Sequence, residues 1–166
     1  MRAATAVVLL VIVVLGAAGC SDSQNVQDGG VAKAPDNPRE TLVRLAGYVA
    51  DNDGKNACAL MFESVRDTFA SENDAMTCEK AVDGIFARLT DAKAYRAMVP
   101  SGLKIDGETA SISGYCRDGW SNADGSYDLL EVSPNDLGDI RLKKTDKGWL
   151  ISEYRGSKHY SSSCGG

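Results

Sequence analysis

The sequence predicts an α+β domain in which N-terminal helices pack on an antiparallel sheet. Between Asn37 and Tyr95, apolar residues recur at the three- and four-residue spacing of amphipathic helices. After Pro100 they alternate instead, as in half-buried strands joined by tight turns. Helices followed by strands are typical of an α+β domain, because α/β domains alternate the two along the chain. The predicted domain comprises residues 37–166.

The first predicted helix begins at Asn37-Pro38-Arg39-Glu40, which supplies an N-cap, a first-turn proline and an acid in the first turn. Its apolar stripe consists of Leu42, Leu45, Ala46 and Val49. Residues 51–54, Asp-Asn-Asp-Gly, end it. A second helix is predicted over residues 58–65. A third is predicted over residues 78–89 and continues, bent or broken, toward Tyr95.

Two turn signals organise the sheet. Asp106-Gly107 predicts a hairpin between strands at 103–105 and 109–113, and Asp146-Lys147-Gly148 predicts one between strands at 140–144 and 149–154. Another strand is predicted at 127–132. The loop before it is rich in Gly, Asn and Asp and carries Trp120, which we expect to be exposed.

The charge of the chain limits its partners. It has 18 Lys and Arg against 23 Asp and Glu, a formal net charge of −5. Because binding to nucleic acid needs a basic patch, an acidic chain without a Lys/Arg cluster predicts no nucleic-acid partner. The same balance disfavours purely electrostatic docking on anionic lipid.

The first twenty residues carry an export signal. Arg2 precedes an apolar run over residues 6–15, about half of the roughly twenty residues that span a bilayer. Ala17-Ala18-Gly19-Cys20 then resembles the lipobox of bacterial lipoproteins. The resemblance implies a signal peptide over residues 1–19, diacylglyceryl attachment at Cys20, and a position on the extracytoplasmic face of the cell membrane. The polar residues 20–36 lack periodicity and are expected to form a flexible tether.

Five cysteines leave one unpaired, and lipidation of Cys20 accounts for it. The remaining four form an even set, which predicts disulfides in an oxidising compartment: Cys58, Cys78, Cys116 and Cys164. A zinc site is the alternative, but the chain has no C-x-x-C pair and one histidine. Of three possible pairings, Cys58–Cys78 with Cys116–Cys164 needs the least rearrangement, since Cys58 and Cys78 lie on apolar stripes of helices joined by a short loop.

The order of elements resembles the NTF2-like superfamily, and in particular small secreted bacterial lipoproteins of that fold. The hairpin at residues 142–151, Leu-Lys-Lys-Thr-Asp-Lys-Gly-Trp-Leu-Ile, is the part most similar to the family. A cysteine in the second helix paired with one that opens the third is similar too. The resemblance covers about residues 37–155. It implies a curved sheet wrapped against a long helix, a conical pocket for a small molecule, and a homodimer formed through the sheet.

Catalytic chemistry has little support in the sequence. The single histidine, His159, lies in a polar tail, so no Ser/His/Asp or Cys/His site is predicted. A buried carboxylate could act as a general base, but Asp83, Asp128 and Glu131 are each expected at the surface. No metal or cofactor is predicted. Residues 120–131 match several positions of an EF-hand loop, but Trp120 stands where its first aspartate is required.

The sequence therefore predicts a lipid-anchored, extracytoplasmic binding or interaction module of the bacterial cell envelope that is not catalytic. Its expected partners are the membrane, through the N-terminal lipid, and a small molecule or an envelope protein. Two alternatives remain: a pocket enzyme of isomerase or dehydratase type, and a structural or assembly lipoprotein. The candidate contact residues are Tyr48, Trp120, Tyr127 and Asp128.

Overall fold

The computed structural model describes residues 32–113, 119–126 and 137–156. Five helices lie in this part of the chain: α1 (Pro38–Ala50), α2 (Gly54–Ala59), α3 (Glu63–Glu72), α4 (Cys78–Phe86) and α5 (Ala92–Ala97). Six strands follow: β1 (Val99–Pro100), β2 (Lys104–Asp106), β3 (Thr109–Ser113), β4 (Trp120–Ser121), β5 (Asp139–Thr145) and β6 (Gly148–Arg155). The predicted α+β class is confirmed. The strand predicted at 127–132 lies outside the described residues.

Helix α1 begins as the sequence predicts. The Asn37 side chain accepts a hydrogen bond from the Arg39 amide at 2.8 Å, and Pro38 occupies the first turn. The four residues of the predicted stripe are buried: Leu42, Leu45, Ala46 and Val49. The side chain of Asp53 then caps α2 by accepting from the Asn56 amide at 3.1 Å. Local capping and periodicity therefore account for this part of the fold.

The second predicted helix is instead two helices, α2 and α3. Between them Met61 forms a parallel bridge with Ile151 of β6. The Phe62 amide donates to the Ile151 carbonyl at 3.0 Å, and the Ile151 amide donates to the Leu60 carbonyl at 2.8 Å. Because β6 lies at a sheet edge, its outward backbone groups need these partners. The helix is interrupted at residues 60–62 to supply these hydrogen-bond partners. Apolar periodicity does not indicate that β6 needs them.

The third predicted helix is also divided, into α4 and α5. The break predicted before Tyr95 is confirmed. The Asp91 side chain accepts from the Ala94 amide at 2.8 Å and so starts α5 as an N-cap.

Four antiparallel strands form the main sheet in the order β2-β3-β5-β6, and β1 pairs with β4 in a separate two-stranded sheet. Both predicted hairpins are confirmed. One row across the main sheet consists of Ile105, Ala110, Leu142 and Ile151. The last three of these belong to the core shared with the helices. The register of β5 on β6 shifts between Arg141 and Leu142, which leaves Ser152 as an extra, bulged residue.

Residues 32–36, here called the N-terminal strap, pack on the domain. The Trp149 amide donates to the Pro35 carbonyl at 2.7 Å, and the Ala32 amide donates to Asn56 Oδ1 at 3.1 Å. Ala34 and Pro35 are buried. The expected flexible tether over 20–36 is therefore wrong for these five residues. The lack of periodicity in residues 20–36 does not reveal that the amide of Trp149, at the start of an edge strand, needs a hydrogen-bond acceptor.

The Cys58–Cys78 disulfide is present and joins α2 to α4. Both cysteines are buried, and Cys78 Sγ lies 4.0 Å from the sulfur of Met61. Cys20, Cys116 and Cys164 lie outside the described residues. Within the described part of the chain, no helix has the length and apolarity needed to cross a membrane.

Candidate functional site

An open groove of about 500 Å³ lies between α3 and the ends of β5 and β6 that are remote from their connecting turn. Helix α3 forms one wall and the two strands form the other. The lining residues are Ser64, Val65, Thr68, Asp139, Arg141, Ser152, Glu153, Tyr154 and Arg155. Hydroxyl groups, carboxylates and guanidinium groups predominate among them, so the groove is suited to a polar ligand.

The bulge at Ser152 determines which side chains of β6 reach the groove. It brings Glu153 opposite Arg141, and the two side chains form an ion pair with an N–O distance of 3.5 Å. Ser152 Oγ donates to the Arg141 carbonyl at 3.4 Å. Both charged side chains are about two-thirds exposed. An ion pair so exposed contributes little to stability, so both groups can exchange their partner for a charged ligand at small cost.

Tyr154 is held in place from below the groove. Its ring packs edge-on against Phe69, with the centroids 5.0 Å apart and the planes at 67°. Its hydroxyl accepts a hydrogen bond from Asn73 Nδ2 at 3.3 Å. Aromatic packing and a hydroxyl partner together restrain the ring. The groove therefore combines a restrained aromatic side chain with exposed charged groups.

The buried interior of the described residues is largely apolar. Its buried polar or charged side chains are Thr41 and Ser121. Thr41 Oγ1 donates to the Trp149 carbonyl at 3.1 Å, and this bond ties α1 to β6. Trp149 is buried and belongs to the core that the helices share with the sheet. The interior described here contains no carboxylate that could act as a buried general base.

Asp83 lies at the surface, as expected. Its side chain pairs with Lys80 at 2.8 Å, one turn earlier on α4. The hydrogen bond and the negative charge of Asp83 raise the pKa of Lys80. The other two candidate carboxylates, Asp128 and Glu131, lie outside the described residues.

Trp120 is fully buried, so the expectation that it is exposed is wrong. Pairing of β4 with β1 brings Trp120 opposite Pro100, and the indole belongs to the shared core. Its Nε1 has no hydrogen-bond partner among the described residues. The loop that follows Trp120 is polar, which is why the sequence predicts exposure. Its polar groups bond to one another within residues 122–126, and the indole packs into the core.

The loop at residues 122–126 closes on itself. The Asn122 amide donates to the Ser126 carbonyl at 2.8 Å. Asp124 Oδ1 accepts from the amide and the hydroxyl of Ser126, at 2.9 and 2.6 Å. These bonds lower the pKa of Asp124. Asp124, the one described acid that matches the EF-hand template, is thus engaged in a turn, and no cluster of metal-ligating side chains occurs in the described ranges.

Of the four predicted contact residues, the two that the structure describes, Tyr48 and Trp120, do not line the groove. Tyr48 is half-buried on α1 and packs against the core. Tyr127 and Asp128 lie outside the described residues, and Trp120 is internal. Tyr154, near the end of β6, does line the groove.

No family model, curated protein or solved structure matches this chain. The NTF2-like resemblance therefore stays a prediction, and function has to be inferred from the residues and geometry of the chain itself.

Proposed function

We propose that the protein is a lipid-anchored, extracytoplasmic binding module of the bacterial cell envelope, and that the groove between α3 and β6 is its ligand site. The groove is the observation that carries this proposal. Its volume of about 500 Å³ falls within the range of small-molecule sites, roughly 300–1,000 Å³. Its lining has charged groups of both signs beside hydroxyls, which suits a small polar ligand with charged or hydroxyl substituents.

The location in the envelope has two supports. The Cys58–Cys78 disulfide is typical of an oxidising compartment, since cytosolic thiols are kept reduced. The lipobox-like residues 17–20 supply a site for the anchor at Cys20. Because the strap packs on the domain, the proposed tether consists of the residues between Cys20 and Ala32.

Binding without catalysis is favoured over the enzyme alternative by the lining of the groove. The described lining residues include no histidine or cysteine, and each of the two arginines lies beside a carboxylate across the sheet. Such a set can hold charge, and the hydroxyls of Thr68 and Ser152 donate to backbone carbonyls rather than to a carboxylate that could act as a base. The enzyme alternative now depends on Asp128 or Glu131.

The ligand site is tested by native mass spectrometry of the chain after exposure to an envelope extract. A retained small-molecule mass is expected. Arg141→Ala should weaken its retention about tenfold or more, because a charge-assisted bond is lost. Lys143→Ala is the matched control, since Lys143 is the next outward-facing residue of β5 and does not line the groove. Equal retention by both variants, or none by the unaltered chain, would refute the assignment.

The anchor is tested separately. Cys20→Ser should abolish metabolic labelling with a radioactive fatty acid and release the protein from the membrane fraction. Ser21→Ala is the control and should keep both properties. Fatty-acid labelling that survives Cys20→Ser would show that the lipid is attached elsewhere and would refute Cys20 as the anchor.

A further inference from the structure

Strand β2 leaves one edge of the main sheet open. In the part of the chain that the structure describes, it pairs only with β3. Its three residues, Lys104, Ile105 and Asp106, are all exposed. The Ile105 side chain is 58% exposed, although Ala110 and Leu142 in the same row are buried. An apolar side chain therefore stands exposed beside a strand edge that no other described strand occupies.

The hairpin turn fixes which backbone groups face that edge. Gly107 has φ +57° and is the first of two turn residues, as in a type II′ turn. Asp106 and Thr109 flank the turn and form a hydrogen-bonded pair, so the next pair, Ile105 and Ala110, is not hydrogen-bonded. The N–H and C=O of Ile105 consequently point away from β3, toward the open edge.

We propose that two copies of this chain pair antiparallel through β2, about a two-fold axis at Ile105. Each Ile105 donates its N–H to, and accepts at its C=O from, the partner's Ile105. The two side chains lie together on the helix side of the joined sheets. Addition of a strand to an exposed edge is a common mode of association, and a two-fold axis makes the contact the same on both copies.

The side chains that flank Ile105 select a second copy as the occupant. Lys104 and Asp106 project from the opposite face of β2. A two-fold axis at Ile105 places Lys104 across from the partner's Asp106, and Asp106 across from the partner's Lys104. Opposite charges in directly opposed positions stabilise antiparallel strands, whereas like charges destabilise them. The sequence Lys-Ile-Asp is therefore complementary to itself in this register.

The contact is small, since three residues per strand bury far less than the roughly 800 Å² per partner of a standard interface. We therefore expect a weak, concentration-dependent dimer. Strand β6 lies at the other edge of the sheet, so pairing through β2 leaves the groove of each copy open. The dimer would present two grooves at its outer edges. This inference depends neither on the lipid anchor nor on the groove being a ligand site.

Charge reversal tests the register. The full chain is compared with Lys104→Asp, Asp106→Lys and the double variant by analytical ultracentrifugation at protein concentrations up to about 1 mM. Each single variant should weaken association about tenfold or more, because both charge pairs become repulsive. The double variant should restore association to within about threefold, because it exchanges the charges and recreates both pairs. Lys143→Asp is the control, since Lys143 faces the same side of the sheet from the interior strand β5.

Zero-length cross-linking tests the contact itself. A carbodiimide applied to a mixture of ¹⁴N- and ¹⁵N-labelled chains should yield a mixed-isotope amide between Lys104 and Asp106. A chain that stays monomeric at the highest concentration would overturn the proposal. So would a dimer that resists every single reversal, or one that the double reversal fails to restore. Because Lys104 and Asp106 are exposed, these variants should keep the circular dichroism of the unaltered fold.

Discussion

Removing the Cys58–Cys78 disulfide should lower the stability of the domain by an amount that loop length predicts. The bond closes a loop with a sequence separation of 20. The loop-closure relation then gives about 3 kcal/mol at 25 °C for the chain entropy that the bond removes from the unfolded state. Loss of two buried sulfur atoms, one of them 4.0 Å from Met61, adds about 1 kcal/mol when both cysteines become alanine. For a domain of this size the sum corresponds to a fall in Tm of about 10–15 °C.

The assay is thermal unfolding followed by circular dichroism. Cys58→Ala/Cys78→Ala is made in a chain in which Cys116 and Cys164 are already alanine, so that only one bond differs. The parent chain with Cys116→Ala and Cys164→Ala is the control. A fall in Tm below about 3 °C would refute the loop-closure reasoning. An unchanged Tm on reduction of the control would show that the bond is absent from the protein in solution.

Three further predictions follow from local geometry. Gly148→Ala should lower the free energy of unfolding in urea by about 3 kcal/mol, because φ is +111° and the new Cβ would lie 2.6 Å from the Pro35 carbonyl oxygen. Gly107→Ala is the control; it has open space around it and should lower the free energy of unfolding by about 1 kcal/mol. Trp120→Ala should cost about 3–5 kcal/mol, against under about 1 kcal/mol for a tryptophan on the surface. The pKa of Asp124 should lie below 3.8 in a carboxyl NMR titration and rise in Ser126→Ala. Since this pKa is lowered by folding, its stabilising effect is present above pH 3.8 and is lost as the pH falls through the folded value. An equal pKa in both chains would contradict the hydrogen bond from the Ser126 hydroxyl as its main cause, because the variant keeps the backbone bond.

The proposed ligand groove and the proposed pairing through β2 would together give a dimer with two ligand sites. The charged pair joins Arg141 of β5 to Glu153 of β6, and the other face of both strands is packed into the core, so ligand binding need not disturb the fold. Pairing through β2 would join two such sites in one sheet. A ligand or surface with repeated charged groups would then bind two sites at once, which raises apparent affinity without a new contact.

Local signals in the sequence were sufficient for several elements. The start of α1 depends on Asn37 and Pro38, which act on backbone groups within one turn. The hairpins at Gly107 and Gly148 depend on residues that tolerate positive φ. The Cys58–Cys78 pair could be predicted because both cysteines lie on neighbouring apolar stripes. In each case the determining residues are close in sequence, so the local structure that they favour agrees with the tertiary structure.

The candidate site could not be predicted in this way. A regular hairpin closed at Gly148 would pair Arg141 with Ser152, and only the bulge pairs it with Glu153 instead. The break between α2 and α3 and the docking of the strap both supply hydrogen-bond partners to backbone groups of β6. These groups lie some ninety to one hundred and twenty residues away in the sequence. The burial of Trp120 likewise depends on β1. Composition and periodicity determined the fold class of this protein. The bulge in β6 and the hydrogen bonds of its edge, which are visible only in the tertiary structure, decided where the groove lies.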